Sequence, residues 1–210
     1  MIKSFGCSFF YGSDLGDCTF QSSNLTWPAL IAQHKNLDYC CYAKPGNGNL
    51  FILNSILEQT PGDDLFLINW TWIDRYDYIN SQDETWAALR PAEDNDLEKF
   101  YFRHLHSQYK DMLTNLGYIK LAIDYLNDNR IKFVMTYMDY LLFEPINPNW
   151  HNPGPVSYLQ NKIRPHLVDF DGSNFLDWSK KSGYQVSKHW HPLEQAHAAA
   201  AQFILNQSLV

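Results

Sequence analysis

Short apolar runs alternate with helical patterns along the 210 residues, and this order predicts an α/β fold. The expected architecture is a three-layer α/β/α sandwich around a central, mostly parallel sheet. Two further observations support it. Leu65-Phe66-Leu67-Ile68 is continuously apolar, as suits a strand buried on both faces. Right-handed crossovers between such strands then place helices on both sides of the sheet. The whole span 1–210 reads as one domain, long enough to bury a sizeable core.

The elements follow in order. Ile2 to Cys7 reads as a first strand that runs into a tight turn at Gly6. Thr26-Trp27-Pro28 opens a helix through His34, with Thr26 as N-cap and Pro28 in the first turn. Leu37 to Tyr42 is the second strand, and Gly46-Asn47-Gly48-Asn49 turns into a helix from Leu50 to about Gln59. Its Leu50, Leu53 and Leu57 share a face. Residues 74–96 are polar and aromatic and carry no clear period. From Asp96 a long helix is expected, with a stripe of Leu105, Tyr109, Met112, Leu116, Ile119, Ile123 and Leu126 that packs on the sheet. The same stripe suits pairing with a second copy, and Gly117 is a place for the helix to bend. Ile131 to Tyr137 is the next strand, and Pro145 to Pro155 a surface loop. Leu167 to Phe170 reads as the last strand, Phe175 to Lys180 as a short helix and Leu193 to Leu205 as the closing helix.

Composition excludes some classes of function. With 16 basic and 23 acidic residues the formal net charge is -7, and no cluster of Lys and Arg exists to track phosphates, so nucleic acid is not expected as a partner. No segment is apolar enough to span a bilayer and the first residues lack a signal-peptide core, so the expectation is a cytoplasmic protein without a membrane partner. The 4 cysteines show no metal-finger spacing and read as reduced.

Four segments hold residues suited to chemistry. Ser8 follows the first strand, and a hydroxyl there meets the carboxyl edge of the sheet, where open α/β folds place their sites. On Gly-x-Ser alone a structural serine is the better reading, and the Gly-x-Ser-x-Gly elbow fails at Phe10. Gly46 to Asn49 precede a helix whose free N–H groups suit a developing oxyanion, or simply form a turn. Asn69 and Thr71 leave the third strand on one side, as oxyanion donors or as strand caps. His191, fixed before Pro192, is placed to act as general base on Ser8. His189, His191 and His197 together offer a rival zinc reading.

Together these segments resemble the SGNH, or GDSL-like, hydrolases over nearly the whole chain. Phe5-Gly6-Cys7-Ser8-Phe9 is similar to the first block of that family, with Cys7 in place of its aspartate. Pro45-Gly46-Asn47 is similar to the second, Asn69 to Trp72 falls at the third, and His191-Pro192 is similar to the fifth. The variant Gly-Cys-Ser-Phe start is similar to a divergent phage and bacterial branch. The resemblance implies a flavodoxin-like sheet and hydrolysis of an ester or acetyl group without metal or organic cofactor. Ser8 would be the nucleophile, His191 the base, and Gly46 with Thr71 or Asn69 the oxyanion hole. The substrate would be a small molecule or a carbohydrate ester. Apart from the resemblance, the abundance of aromatic residues alone suggests exposed rings such as Trp70, Trp72 and Trp150 to meet a sugar or another flat substrate. One departure stands out: Lys188 occupies the position of the family's aspartate, so Asp177 or Asp171 is expected to orient His191 instead. Lys188 also motivates an alternative, a non-catalytic binding protein on the same fold.

Overall fold

The computed structural model describes residues 1–91, 95–144, 152–207 and 209. In chain order the regular elements are β1 (Ile2–Phe5), α1 (Ser8–Tyr11), α2 (Trp27–His34), β2 (Tyr39–Cys41), α3 (Asn49–Leu57), β3 (Leu65–Trp70), β4 (Tyr76–Ile79) and β5 (Trp86–Leu89). They continue with α4 (Asp96–His104), α5 (Gln108–Asp128), β6 (Lys132–Tyr137), α6 (Gly154–Ile163), α7 (Phe175–Lys181) and α8 (Glu194–Asn206).

The central sheet has the order β2-β1-β3-β6 with every pair parallel. Successive side chains on a strand face opposite ways, so each strand feeds two cores. Leu67 joins Phe10, Trp27, Ile31, Ala200 and Ile204 on the α2–α8 side. Phe66, Ile68 and Trp70 join Ile52, Leu116, Ile119 and Ile123 on the α3–α5 side. The chain leaves β1 for β2 on one flank, then crosses back to β3 on the other. This reversal makes the carboxyl ends of β1 and β3 a topological switch point, the natural crevice of an open sheet.

Several sequence expectations need correction. The second strand is confined to Tyr39–Cys41. Leu167 to Phe170 forms no fifth strand; it touches β6 only through a single bridge between Met135 and Leu167. The long helix is two helices, because Ser107 accepts the Lys110 N–H and starts α5 afresh. Gly117 therefore sits inside α5 with no bend to serve, and Leu105 falls in the break, 60% exposed. Most of the stripe beyond the break is buried against the sheet side, which is the packing role expected of it. The patternless stretch contains the antiparallel hairpin β4–β5, its residues 92–94 lying outside the described region. Of the Pro145–Pro155 loop, residues 145–151 also lie outside it, while Gly154 and Pro155 open α6. All four cysteines are free. Among the described residues no helix is long and apolar enough to cross a membrane.

The two ends of the chain are tied by His197. Thr26 stands at the N-cap of α2 but its side chain makes no capping bond. Instead the Trp27 N–H, one of the orphan donors of a helix start, donates to His197 Nδ1 of α8 at 3.0 Å. The ring must therefore be neutral. Burial, with a smaller contribution from the charge of His191, pushes its pKa down from 6.5 to about 3.

This burial has a pH signature. Between pH 6.5 and 3 the unfolded chain binds a proton here that the folded chain refuses, so stability falls as pH falls through that window. The contribution approaches about 1.4 kcal/mol per pH unit. Urea denaturation from pH 7 to 4 should show a steeper loss for the wild type than for His197→Asn, which keeps an acceptor and cannot titrate. Parallel curves would refute the assignment.

Candidate active site

β1 ends at Phe5, and Ser8 is the first residue of the four-residue helix α1. Gly6 makes this exit possible through close approach: a Cβ there would lie 3.2 Å from Phe10 and 3.3 Å from the Asn69 carbonyl oxygen. The Ser8 hydroxyl lies 2.9 Å from His191 Nε2. On the far side of the ring, His191 Nδ1 lies 2.7 Å from Asp14 Oδ2. Burial raises the pKa of Asp14, but bonds from Ser187, His191 and His189 outweigh it and hold the carboxyl at about 2. An ionised carboxylate only accepts, so Nδ1 carries the proton and donates to Asp14. Nε2 is then left to accept the Ser8 O–H. Hydroxyl, imidazole and carboxylate thus stand in one hydrogen-bonded line, an arrangement compatible with acyl transfer.

The carboxylate that meets the His191 ring is thus Asp14, and neither Asp177 nor Asp171. Asp177 lies in the first turn of α7, where its N–H donates to the Asn174 side chain and its carboxylate accepts from Asn174 Nδ2 at 3.3 Å. Asp171 takes a left-handed turn beside Gly172. Asp14 was missed because it lies in the loop after the nucleophile, where no local pattern marks a carboxylate as special. That loop is well fixed. Gly12 ends α1 at φ +76, a conformation glycine adopts without strain, and a Cβ there would meet Ser23 at 2.5 Å. Asp17 accepts the Ser23 hydroxyl and the Asn24 N–H, and Glu194 of α8 accepts the Gly16 N–H at 2.8 Å.

The histidine loop is equally built. The Ser187 N–H donates to the His191 carbonyl at 2.8 Å, and Val186 bridges Pro192. The Ser187 hydroxyl donates to Asp14 Oδ2 and accepts the backbone N–H groups of His189 at 3.1 Å and His191 at 3.2 Å. Ser187 was also missed by sequence reasoning. His189, with an exposed ring, is 3.2 Å from the same carboxylate. Lys188 points to solvent. His197 is committed to Trp27 in the core, so it does not join His189 and His191 as the zinc reading requires. Among the described residues no three His, Cys, Asp or Glu side chains are grouped to hold a metal.

The expected oxyanion groups lie at the strand exits, with different fates. The Lys44 N–H donates to the Gly6 carbonyl, so the turn holding Gly46 (φ +83) runs beside the exit of β1. The start of α3 is not open, because Asp77 accepts the Gly48 N–H at 2.5 Å and the Phe51 N–H at 2.9 Å. Asn69 is 1% exposed and its amide donates to Thr136 of β6 at 2.8 Å, away from the role expected of it. Thr71 is clamped by Asn49, which accepts its N–H at 2.8 Å and donates to its carbonyl at 3.1 Å. The Thr71 hydroxyl is buried without a protein partner.

A groove of about 490 Å³ opens over the Ser8–His191 pair, lined also by Phe9, Trp72, Arg75, Lys180, His189 and Trp190. Phe9 packs its edge on the His191 ring at 5.2 Å and stacks on Trp72 at 5.8 Å. Trp190 stands at the lip, 63% exposed, at φ +66. Such a backbone costs a bulky residue roughly 1–2 kcal/mol, and the turn imposes it. Of the rings expected to face substrate, Trp70 is fully buried, Trp72 is half-buried on the groove wall, and Trp150 lies outside the described residues.

No protein-family profile matches the sequence and no curated protein is detectably similar to it. Solved structures are. An acetyl xylan esterase, AlAXEase, aligns with 98% of this chain and 98% of its own at 12% identity and a TM-score of 0.53. A carbohydrate esterase family 2 enzyme with a carbohydrate-binding domain from Corynascus thermopiles (Myceliophthora fergusii) aligns with 99% of this chain and 64% of its own at 14% identity and a TM-score of 0.52. A lipolytic protein of the G-D-S-L family from Desulfitobacterium hafniense aligns with 100% of this chain and 98% of its own at 10% identity and a TM-score of 0.50. The chain spans 62% of the length of an acetyl xylan esterase from the rumen bacterium Butyrivibrio proteoclasticus. Parallel sheet, flanking helices and these neighbours agree: the chain has the fold of the SGNH, or GDSL-like, hydrolases.

Proposed function

We propose that this chain is a serine esterase of SGNH type that removes an acetyl or similar small acyl group, with carbohydrate esters as the first substrates to test. The observation that carries the reading is the unbroken line Ser8–His191–Asp14, with contacts of 2.9 and 2.7 Å. The solved neighbours named for acetyl xylan esterase and carbohydrate esterase activity support the choice of acyl group and substrate. Lys188 and the missing Asn-Asp after the third strand favour the alternative, a non-catalytic binding protein; the contact of Asp14 with His191 answers the first of these and supports the esterase reading over it.

In the proposed reaction the Ser8 oxygen attacks the acyl carbon while His191 Nε2 takes its proton. The resulting imidazolium is held by Asp14, which stays ionised throughout. The oxyanion is stabilised by the N–H groups of Ser8 and Gly46, with the Thr71 hydroxyl as the side-chain donor in preference to the committed Asn69. His191 returns the proton to the leaving alcohol, and a water activated by the same ring then releases the acid from acyl-Ser8.

A fluorophosphonate probe should label Ser8 alone, and Ser8→Ala should remove the adduct while the fold, followed by circular dichroism, is unchanged. Labelling elsewhere, or none in folded protein, would sink the esterase reading. Asp14→Asn, which preserves shape but permits the wrong tautomer, should lower kcat by roughly 10³–10⁴ with little change in KM. Ser187→Ala should cost less, about tenfold, and Ser187→Thr should restore part of the loss. Stability tests the same carboxylate. Its pKa falls from 3.8 to about 2 on folding, so its contribution is present above pH 3.8 and lost as pH falls through 2. The stability gap between wild type and Asp14→Asn should therefore be constant from pH 7 to 5 and shrink between pH 4 and 2.

A further inference from the structure

We propose that the preferred substrate is an acyl ester whose alcohol part is an anionic ring compound, such as an O-acetylated acidic sugar. The inference rests on the esterase reading of Ser8 and names the class of molecule that its groove takes. The groove is flanked by two cation–aromatic pairs. On one wall the Arg75 guanidinium lies 5.6 Å from the centre of the Trp72 ring and donates to the Asn47 carbonyl at 2.9 Å. On the other the Lys180 ammonium, in the last turn of α7, lies 4.2 Å from the centre of the Trp190 ring. Ser8 and His191 line the same groove as both pairs.

Among the described residues no carboxylate lines this groove. Asp14, which stands closest in the chemistry, spends its charge on Ser187, His189 and His191. Glu194, in the first turn of α8, is turned to the Gly16 N–H. Neither Arg75 nor Lys180 makes a salt bridge with a carboxylate among the described residues. Trp72 and Arg75 also line an adjoining groove of about 380 Å³, which adds Arg90 and Pro91 and, as the one carboxylate lining it among the described residues, Asp74. Burial, and the nearby charge of Asp139, raise the pKa of Asp74, whereas Arg75 lowers it; Arg75 therefore already sits in the field of Asp74 and, behind it, of the buried Asp77.

The protein as a whole is acidic, with a formal net charge of -7. A neutral substrate needs no local reversal of that field at the mouth of the site. An anionic one does, because screening leaves only charges within about 10 Å effective. The aromatic partners have a complementary use. An exposed indole such as Trp190 presents a flat apolar face with a polar edge, the surface on which a sugar ring packs, and the cation beside it meets the ring's acidic substituent. Holding Trp190 at the lip in a left-handed backbone conformation is what the turn between Ser187 and His191 achieves.

The test uses three aryl acetates of similar shape: 4-acetoxybenzoate, 4-acetoxyphenyl phosphate and the uncharged 4-acetoxybenzamide. For each, kcat/KM is divided by the rate of hydroxide hydrolysis to cancel the leaving group. Wild type at low salt should favour the charged esters, the benzoate over the phosphate if the natural anion is a carboxylate and the reverse if it is a phosphate. Lys180→Gln and Arg75→Gln should each lower the charged-to-neutral ratio about fivefold, and Lys180→Glu more. Added salt to 0.5 M should erase most of the wild-type preference. Equal ratios in wild type and all three variants, with Ser8-dependent turnover intact, would overturn the anionic-substrate inference and leave the esterase standing. No turnover of any ester, together with no fluorophosphonate adduct on Ser8, overturns both.

Discussion

The site is organised around one carboxylate. Asp14 gathers the Ser187 hydroxyl and two imidazoles, bringing His191 to it across 177 residues of chain. Three donors on one acceptor group explain why its proton affinity is so low despite partial burial, and why the histidine carries its proton on Nδ1. The rest of the crevice follows from that choice. Ser8 is offered to Nε2 because Asp14 has claimed the other nitrogen. The Ser187–His191 turn has a fixed height over the sheet because Ser187 binds both the carboxylate and the backbone of the histidines. Remove the charge and two loops from opposite ends of the chain lose their common anchor.

The fold was legible because its determinants are local and repeated. Alternating apolar runs and helical stripes place β1, β3, β6, α2, α7 and α8 within a residue or two of where the pattern puts them. Ser8 and His191 were legible for a related reason: each sits at a junction, the exit of a strand and the entry of a helix, that the pattern locates. Asp14 was not, because its role is set by a contact in space. Position 188, three residues before the histidine, carries a lysine, and nothing near Asp14 in sequence signals that it replaces it. Asp177 was a candidate only by its place in the segment before the histidine, and it is a helix-capping partner. The break in the long helix was missed for a smaller reason. A seven-residue apolar stripe continues through Leu105, but Ser107 accepts a helix-start N–H and an exposed Leu105 offers no burial to oppose it.

The second strand exit shows a related substitution of one device for another. In the expected arrangement an asparagine after β3 would hold the oxyanion. Here Asn69 is drawn to Thr136, and asparagines from neighbouring helices, Asn49 and Asn115, fix the backbone between Thr71 and Ile73 instead. The polar groups that secure the loop therefore come from α3 and α5, whereas the loop's own side chain at 71 is left with an uncommitted buried hydroxyl. A buried donor without a partner is costly unless a ligand atom completes it.

Moving the acid to the nucleophile's own loop also changes what the histidine turn is free to do. With the carboxylate at position 14, residues 188–190 are released from presenting an acid and can be shaped for the outside. Lys188 goes to solvent, His189 adds a second contact to Asp14, and Trp190 is thrust to the groove lip over Lys180. The strained backbone at Trp190 has no internal packing to justify it, since the ring is largely exposed. The hydrogen-bonded turn between Ser187 and His191 imposes it, and the ring is left against the Lys180 ammonium. The same five-residue turn thus carries His191 on the side of Ser8 and Asp14 and the exposed Trp190 ring on the side of Lys180, with the carboxylate supplied from position 14.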